Sequence, residues 1–539
     1  MRETLGYINI SVNPCRDFFA YVCSGVINNR LWPEDNTEAE FERMVFTGVM
    51  PPDAPRSPAG VFLIEYHRSC LESIMRKNFT SSLAVALVQK EQVVLKYMDA
   101  KKAFIYATRS ILKYRLHAAL YVLQQFNEPI IRVGIQLNCG EENSHSRDVL
   151  SASLIAINNV LPVPVTEERT LQLKANICSI YRVDHEGSVM YATANRSDFQ
   201  RDIWNLEDLE AGLVANGLTL ATVPLLTVRH SRTIRAVSRN IFSGTRSLDW
   251  CCLSPLAQRH AGWEDVQGPK RDKRPQHLFE VCKKQINRVW QLVLMVKVAI
   301  FTSPAKDAKL HVIFDNVKDA VRADLVKSGM VAADDQNRME HFFRDLVLLT
   351  PREVVDTSAP VPEVSHDFAS NLLEALAFDF DYTKAFFAHF NEKHLRSFIH
   401  LRINGNRSVY LNTNLYNFVK VGDAHLELSN MAYAGRVLAE ALWFMVFRTV
   451  TWAPHTTANM LRIQECYDSF YWSNSSRMNP NDITSFFTAL GLSSVLNAFY
   501  RPQWLIVKPA WGFGACRTAS CSTSFLPTRA ARERLQQLM

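Results

Sequence analysis

Apolar residues recur at helical spacing along much of the chain. The pattern is clearest over residues 83–121, 277–300, 338–349 and 368–390, where apolar side chains return every three or four positions. Such spacing gathers the apolar side chains on one face of a helix. The pattern therefore predicts a helix over each of these segments.

Signals for strands are fewer and shorter. Apolar residues alternate with others over residues 130–137 and again over 188–191, which predicts short strands or small hairpins. Asp367 and Ser370 stand at the start of the last helical segment, and both residue types cap helix N-termini. Taken together, the pattern predicts a mainly α protein with minor β content.

Composition and charge narrow the class of protein. Hydrophobic residues make up 47% and charged residues 21% of the 539 residues, as in ordinary folded proteins. A single hydrophobic core rarely serves more than about 250–300 residues, so this chain is long enough for two or more cores. The formal net charge of +7 comes from 60 basic and 53 acidic residues spread along the chain. This charge is too diluted to indicate a nucleic-acid partner, and we predict none.

Cysteines and glycosylation sequons indicate the secretory pathway. The chain has 11 cysteines, a number typical of proteins that fold in an oxidising compartment. Asn-X-Ser/Thr sequons occur at Asn9, Asn78, Asn195, Asn406 and Asn474. The most apolar run, residues 289–301, contains Lys297 and is shorter than the roughly 20 residues that span a bilayer. We therefore expect a glycosylated, disulfide-bonded, secreted or extracellular protein with no transmembrane segment in this chain.

The amino-terminal residues carry a recognisable signature. Residues 12–25, VNPCRDFFAYVCSG, combine Cys15 and Cys23 with paired aromatic residues and a closing glycine. This segment resembles the opening motif of the neprilysin family of zinc metallopeptidases, which includes the endothelin-converting enzymes. Further segments similar to the family follow in the family's order: YHRSC at 66–70, CKKQIN at 282–287, DFASNLL at 367–373, NTNLY at 412–416 and GLSSVLNAFY at 491–500. The resemblance covers most of residues 9–500 and implies a two-lobed, mainly α, neprilysin-like metallopeptidase fold.

The resemblance also divides the chain. It implies a mostly helical amino-terminal peptidase region over residues 9–352 and a degenerate catalytic-like region over residues 363–500. Proline-rich residues 351–362 are typical of a boundary between them. Residues 501–539 do not match the family, and we expect a divergent, truncated carboxyl tail.

Family members carry a secretion signal or a membrane anchor before the opening motif. We therefore expect the start of this chain to be truncated or incorrectly assembled. The protein would then be secreted or form the ectodomain of a membrane-anchored protein, with a cytoplasmic protein as the alternative.

The catalytic centre of the family is altered in this sequence. The family holds zinc with H-E-x-x-H, in which two histidines one helical turn apart bind the metal and the glutamate is the general base. No H-E-x-x-H occurs here, and the corresponding segment LAEALW places Ala439 and Trp443 at the histidine positions and keeps Glu440. Neither replacement can bind zinc through its side chain. The resemblance therefore implies a lost zinc site, with Glu440 as a relic that serves as an ordinary charged position on a helix.

Other groups of the catalytic centre are also missing from their places. Counting back from the segment 491–500 puts Thr484 at the position of the family's third ligand, a glutamate, and Thr488 at that of the following aspartate. The family has a histidine and an arginine near its carboxyl end that stabilise the transition state, but no histidine follows His455 here. Without a metal, water keeps a pKa far above 7, so the remaining glutamate has no nucleophile to activate. We predict no metal and no other cofactor.

The resemblance implies pairings for several cysteines. Cys70 would pair with Cys282, and closing this long loop would stabilise the fold by about 3–5 kcal/mol in the chain-entropy model. Other family cysteines would each need a partner in the carboxyl tail, which offers too few. These are Cys15, Cys23 and Cys466 on one side and Cys516 and Cys521 on the other. One thiol is therefore free or pairs with another molecule, or the tail has been replaced.

Three functions follow from the sequence. The one we favour is a secreted pseudoenzyme that binds peptides or a protein partner without cleaving them. The second is an active zinc metalloendopeptidase that cleaves small peptides with ligands at other positions. The third is a degenerate or misassembled gene product without a stable function. Bound zinc would separate the first two, and a cooperative melting transition would exclude the third.

Overall fold

Most of the residues described by the computed structural model are helical. The model describes residues 33–49, 57–76, 79–91, 120–125, 130–135, 191–194, 225–229, 275–383, 399–402, 407–422, 426–472 and 482–500, with isolated residues between 102 and 215. The helices are α1 (Pro33–Thr47), α2 (Pro58–Arg76), α3 (Phe79–Glu91), α4 (Pro275–Ile286), α5 (Trp290–Phe301), α6 (Pro304–Ser328), α7 (Gln336–Arg344), α8 (Pro351–Val354), α9 (Phe368–Thr383), α10 (Leu426–Asn430), α11 (Arg436–Arg448), α12 (Pro454–Trp472) and α13 (Asp482–Tyr500). The strands are β1 (Leu120–Gln125), β2 (Ile130–Ile135), β3 (Tyr191–Ala194), β4 (Leu225–Arg229), β5 (Val347–Leu349), β6 (Ile399–Arg402) and β7 (Ser408–Leu411).

The chain folds into two compact units. Unit A consists of residues 41–300 and 355–395, and unit B consists of residues 1–40, 301–354 and 396–539. The chain thus changes from one unit to the other four times. The boundaries at residues 352, 363 and 500, which come from the family resemblance, stay a prediction.

A disulfide joins two helices of unit A. Cys70 of α2 and Cys282 of α4 are both fully buried, and their Cα atoms lie 5.9 Å apart across a sequence separation of 212 residues. One turn before Cys70, the buried Tyr66 hydroxyl donates a 3.3 Å hydrogen bond to the backbone oxygen of Gln285 in α4. The pairing that the resemblance implies for these two cysteines is therefore present in the structure.

Two aspartates fix where helices of unit A begin. Asp367 precedes α9 and accepts hydrogen bonds from the backbone nitrogen of Ser370 at 2.9 Å and from its hydroxyl at 2.6 Å. The predicted cap at Asp367 is confirmed, and Ser370 acts as its donor from within the helix. The buried carboxylate of Asp379 accepts from the backbone nitrogens of Trp290 and Gln291 at 2.8 and 2.7 Å. These two N–H groups belong to the first turn of α5, where no helical carbonyl can reach them.

The described strands form two sheets. In unit A the strand order is β1-β2-β4-β3, with β2 and β4 parallel and the outer pairs antiparallel. In unit B the order is β5-β7-β6, with β5 parallel and β6 antiparallel to β7. The strand predicted over 130–137 is confirmed as β2.

The helices predicted from apolar spacing differ from the observed helices in three places. The helix predicted over 83–121 is wrong at its end, because Leu120 begins β1. The segment 338–349 contains the end of α7 and then β5, since Val347–Leu349 pairs with the distant β7. The segment 277–300 is divided into α4 and α5, because Asp379 starts a new helix at Trp290. The first difference arises from a local hairpin with β2, and the other two arise from contacts with residues far away in sequence.

Helix α6 runs through the core of unit B. The Ser303 hydroxyl accepts a 3.3 Å hydrogen bond from the backbone nitrogen of Lys306, and Pro304 occupies the first turn, so the helix begins here. It ends at Gly329, whose φ of 67° lies in the left-handed region that glycine adopts without strain. Apolar residues of α6, α11 and α13 form one continuous core. Within the described ranges, every helix is too short or too polar to cross a lipid bilayer.

Replacing both bridged cysteines, Cys70→Ala with Cys282→Ala, is expected to lower the free energy of unfolding by about 3–5 kcal/mol, because the unfolded chain regains the freedom of a long loop. Urea denaturation of the oxidised protein measures the difference. Met75→Ala is the control, since this side chain lies on the same helix but is 65% exposed. A double variant as stable as the control would contradict the assignment of a stabilising bridge.

Candidate functional site

Helix α11 carries the residues that the family resemblance places at metal-ligand positions. A π-helical turn, Met431–Gly435, leads into it, so the chain enters α11 without a conventional cap. Ala439 and Trp443 are one helical turn apart and are fully buried. Glu440 points to a different side, with 24% of its side chain exposed. The two replacements therefore lie in the core of unit B, and the glutamate lies at its margin.

Helices α11 and α13 approach each other closely at Ala439. A methyl group added at Gly491 of α13 would lie 3.0 Å from the backbone nitrogen of Glu440 and 3.4 Å from the Cβ of Ala439. A side chain at 491 would therefore require the backbone of α11 to shift by a few tenths of an ångström, which the glycine avoids.

Trp443 is tied into a buried hydrogen-bond network. Its indole Nε1 donates to the hydroxyl of Ser494 at 3.0 Å, and that hydroxyl donates to the Asp324 carboxylate at 2.7 Å. The side-chain amide of Asn497 donates to the second Asp324 oxygen at 2.8 Å. The network joins α11, α13 and α6. A buried indole N–H or a buried carboxylate lowers the stability of the fold when it has no hydrogen-bond partner. Here the Ser494 hydroxyl accepts from the indole and donates to the carboxylate, so both groups have a partner.

Glu440 is engaged by two neighbours. Its Oε2 atom lies 3.2 Å from the guanidinium of Arg436, one turn earlier on α11, and accepts a 3.0 Å hydrogen bond from the Thr488 hydroxyl of α13. Thr488 is the residue that the sequence places at the family's aspartate position. The ion pair is partly exposed, so it contributes little to stability by itself.

The side chains on this face of α11 do not fit a zinc ion. Zinc in proteins needs imidazole nitrogen, thiolate sulfur or carboxylate oxygen. Ala439 offers none of these, and the one polar atom of Trp443 is an N–H donor already bonded to Ser494. Among the residues that the structure describes, no three His, Cys, Asp or Glu side chains lie close enough together to hold a metal.

The third ligand position remains a prediction. Thr484 falls in the first turn of α13, but its side chain lies outside the described residues, as does that of Asp482 at the helix start. The roles assigned to Ala439, Trp443, Thr484 and Thr488 as former ligand and aspartate positions rest on the family resemblance.

The segment NTNLY at 412–416, similar to the family's substrate-gripping element, is buried in unit B. The Tyr416 hydroxyl donates to the Asp307 carboxylate, and the Tyr416 backbone oxygen accepts a 3.0 Å hydrogen bond from Lys306 Nζ. Burial, followed by the bonded carboxylate, raises the pKa of Tyr416 far above its usual range. Burial and the nearby Lys420 lower the pKa of Lys306. These contacts hold the segment against the first turn of α6.

Several predicted sites lie outside the described residues. They are the cysteines Cys15, Cys23, Cys516 and Cys521 and the sequons Asn9, Asn78, Asn195, Asn406 and Asn474. Cys466 lies in α12 and is half-buried. Glycosylation and the remaining disulfides therefore stay predictions.

The sequence analysis missed the polar residues that surround Trp443. Ser494 and Asn497 are three positions apart on α13 and so share a face, a spacing that the sequence displays. Asp324 is separated from Ser494 by 170 residues and is one of several charged residues along α6. No signal near it in the sequence marks it as the partner of Ser494.

Trp443→Phe keeps most of the buried ring but removes the indole N–H. We expect a loss of about 1–3 kcal/mol in the free energy of unfolding, because a buried hydrogen bond disappears. Denaturant unfolding of unit B measures it. Phe444→Leu is the control on the adjacent, 39% exposed position and should cost less than about 1 kcal/mol. Equal losses in the two variants would show that the network is not a stabilising element.

No protein-family model and no curated protein matches the chain. Several solved structures match it. The zinc metalloprotease Zmp1 of Mycobacterium tuberculosis in its open state superposes with a TM-score of 0.54 at 12% identity, over 87% of this chain and 82% of that one. Its inhibitor complex gives a TM-score of 0.52 at 13% identity, over 92% and 86% of the two chains. A galactose-containing glycoprotein complex of Haemonchus gives 0.52 at 12% identity, over 93% and 85%.

At such low identity these likenesses establish the fold and leave the activity open. They extend over most of each chain and agree with the resemblance that begins at residue 12. The predicted fold class is confirmed: the chain has a mainly α, neprilysin-like metallopeptidase fold.

Proposed function

We propose that this protein is a non-catalytic member of the neprilysin-like fold that binds peptides or a protein partner without cleaving them. One observation carries the proposal: the two positions that would hold zinc are a methyl group packed on Gly491 and an indole bonded to Ser494. Loss of the metal removes the chemistry while leaving the fold intact.

The argument against hydrolysis is one of nucleophile strength. A zinc ion brings the pKa of bound water close to 7, and a neighbouring glutamate then removes a proton from it. Without the metal, Glu440 faces ordinary water, whose pKa is far too high for a carboxylate to deprotonate to a useful extent. Arg436 and Thr488 also occupy one of its oxygens. The partners of Glu440 therefore fix its position in the fold and do not make it a general base.

The binding role is inferred from a protein of similar fold. Zmp1 of Mycobacterium tuberculosis, which shares the fold at 13% identity, has been solved in complex with an inhibitor. The cysteines and sequons support a secreted, glycosylated protein, in which a stable binding domain can act outside the cell. Peptides or an extracellular protein are the ligand classes that the fold supports best.

Metal analysis tests the loss of zinc. The full chain, produced through a secretory host and purified in zinc-containing buffer, is expected to retain far less than one equivalent of zinc by plasma mass spectrometry. Short fluorogenic peptides should stay uncut, with an active zinc endopeptidase as the positive control. About one equivalent of tightly bound zinc, together with chelator-sensitive cleavage, would overturn the proposal.

Restoring the histidines tests how completely the site is lost. The double variant Ala439→His with Trp443→His is expected to gain no zinc-dependent cleavage, because no third ligand stands at Thr484. A melting curve must show that the double variant still folds, since the imidazole at 439 faces Gly491. The single variant Trp443→His is the matched control, because it shows how much of any change in melting or cleavage comes from losing the indole. Zinc-dependent cleavage by the double variant would show that a third ligand is present.

Binding without cleavage is tested directly with peptides. The protein is incubated with a defined pool of short peptides, and native mass spectrometry then records bound masses and the supernatant records fragments. Retention of intact peptides, with no fragments over hours, is the expected result. Fragments that disappear on adding a chelator would identify an active enzyme, and a pool that neither binds nor changes would remove the support for a peptide ligand.

A further inference from the structure

We propose that His67 is an acid-sensitive latch that holds α2, α4 and residues 41–47 of α1 together around the Cys70–Cys282 disulfide. The proposal concerns unit A alone and does not depend on whether the protein cleaves peptides. It rests on the position of an imidazole among aromatic rings, where its Nε2 atom meets no hydrogen-bond partner in the described part of the chain.

His67 lies in a cluster of aromatic rings from three helices. Its ring centroid is 4.8 Å from that of Phe46 in α1 and 5.7 Å from that of Phe279 in α4. Phe46 and Phe279 are themselves in edge contact, with centroids 4.1 Å apart. His67 is 4% exposed, and its buried Nε2 atom has no hydrogen-bond partner among the described residues. A neutral imidazole fits this site, whereas an imidazolium would bury an unsatisfied charged N–H.

The cluster lies beside the disulfide. His67 is one helical turn before Cys70 on α2, and Phe279 is one turn before Cys282 on α4. Opening the aromatic cluster would therefore expose the bridge, which is fully buried in the closed form. The imidazole that takes up the proton is therefore next to the disulfide that links the two helices.

The surrounding charged groups are already paired or exposed. Glu42 of α1 and Lys283 of α4 form a 2.6 Å ion pair with each other, one turn from Phe46 and Phe279. On α2 itself, Glu65 pairs with Arg68 at 2.7 Å. Arg43 of α1 and both Glu280 and Lys284 of α4 are exposed, and Glu72 of α2 is half-buried. Beyond these helices, Glu374 of α9 pairs with Lys90 of α3. Burial is accordingly what lowers the pKa of His67, to about 4.

The direction of the pH effect follows from this pKa. An opened or unfolded His67 has the ordinary pKa of about 6.5, so it takes up a proton between pH 6.5 and 4 while the closed form does not. Acid therefore favours the open form, and the closed form is most stable above pH 6.5. The opening equilibrium constant should rise about 20-fold between pH 7 and pH 5 from this one group.

The rate at which the buried disulfide is reduced reports the opening. The full chain is treated with a phosphine reductant at a series of pH values from 7 to 5, and reduced Cys70 and Cys282 are counted by alkylation and mass spectrometry. The ratio of wild-type to His67→Gln rates cancels the pH dependence of the reagent. This ratio should rise about 20-fold between pH 7 and pH 5. His366→Gln is the matched control, because His366 is exposed in the same unit, and its ratio to wild type should stay flat.

A ratio for His67→Gln that does not change with pH would overturn the proposal. His67→Phe, which extends the aromatic cluster, replaces the glutamine variant should the latter fail to fold. A second measurement keeps the proposal testable in the unmodified protein: slow deuterium exchange at the imidazole C2 atom, read by mass spectrometry across pH. An inflection for His67 near 4 supports the latch, and one near 6.5 contradicts it.

Discussion

The close packing of α11 on α13 is the constraint on which the chemistry of unit B depends. Gly491 brings α13 so close to α11 that a methyl group added at 491 would lie 3.0 Å from the backbone nitrogen of Glu440. One turn beyond Ala439, Trp443 fills the interior and reaches Ser494. A metal centre needs donor atoms that project into an open space, whereas Ala439 and Trp443 both pack in the core. The side chains at these two positions and the tight core are thus one structural feature.

Polar groups in this region are reorganised around the packing. In a site that had merely lost a metal, carboxylates and hydroxyls would be left without partners inside the core, each at a cost of about 1–3 kcal/mol. Instead, Asp324 receives hydrogen bonds from Ser494 and Asn497, and Glu440 receives one from Thr488. This arrangement is compatible with a stable folded protein and weighs against a product that cannot fold.

The sequence predicted what local patterns determine. Helical spacing found the cores of α3, α4, α5, α7 and α9, the alternation found β2, and Asp367 was recognised as a cap. It failed where a tertiary partner determines the local structure. Leu120 begins a strand because β2, only a few residues further along, pairs with it. Helix α5 starts at Trp290 because Asp379, 89 residues later, accepts its backbone N–H. Apolar periodicity records which face of a segment is buried, and it carries no information about such partners.

The candidate site shows the same division. A motif comparison located Ala439, Glu440 and Trp443, because an altered signature leaves its register in the sequence. It could not locate Asp324, since nothing near that residue marks it as the acceptor for Ser494, 170 positions away. The contact with Asp324 matters because it completes the hydrogen bonding around a tryptophan at the position that the resemblance gives to a metal ligand. A buried indole N–H usually finds an acceptor, and α13 supplies one whose own proton is taken by a carboxylate on α6. The indole of Trp443 is therefore coupled to residues on two other helices, and any other side chain at position 443 would have to replace the hydrogen bond that Ser494 now accepts.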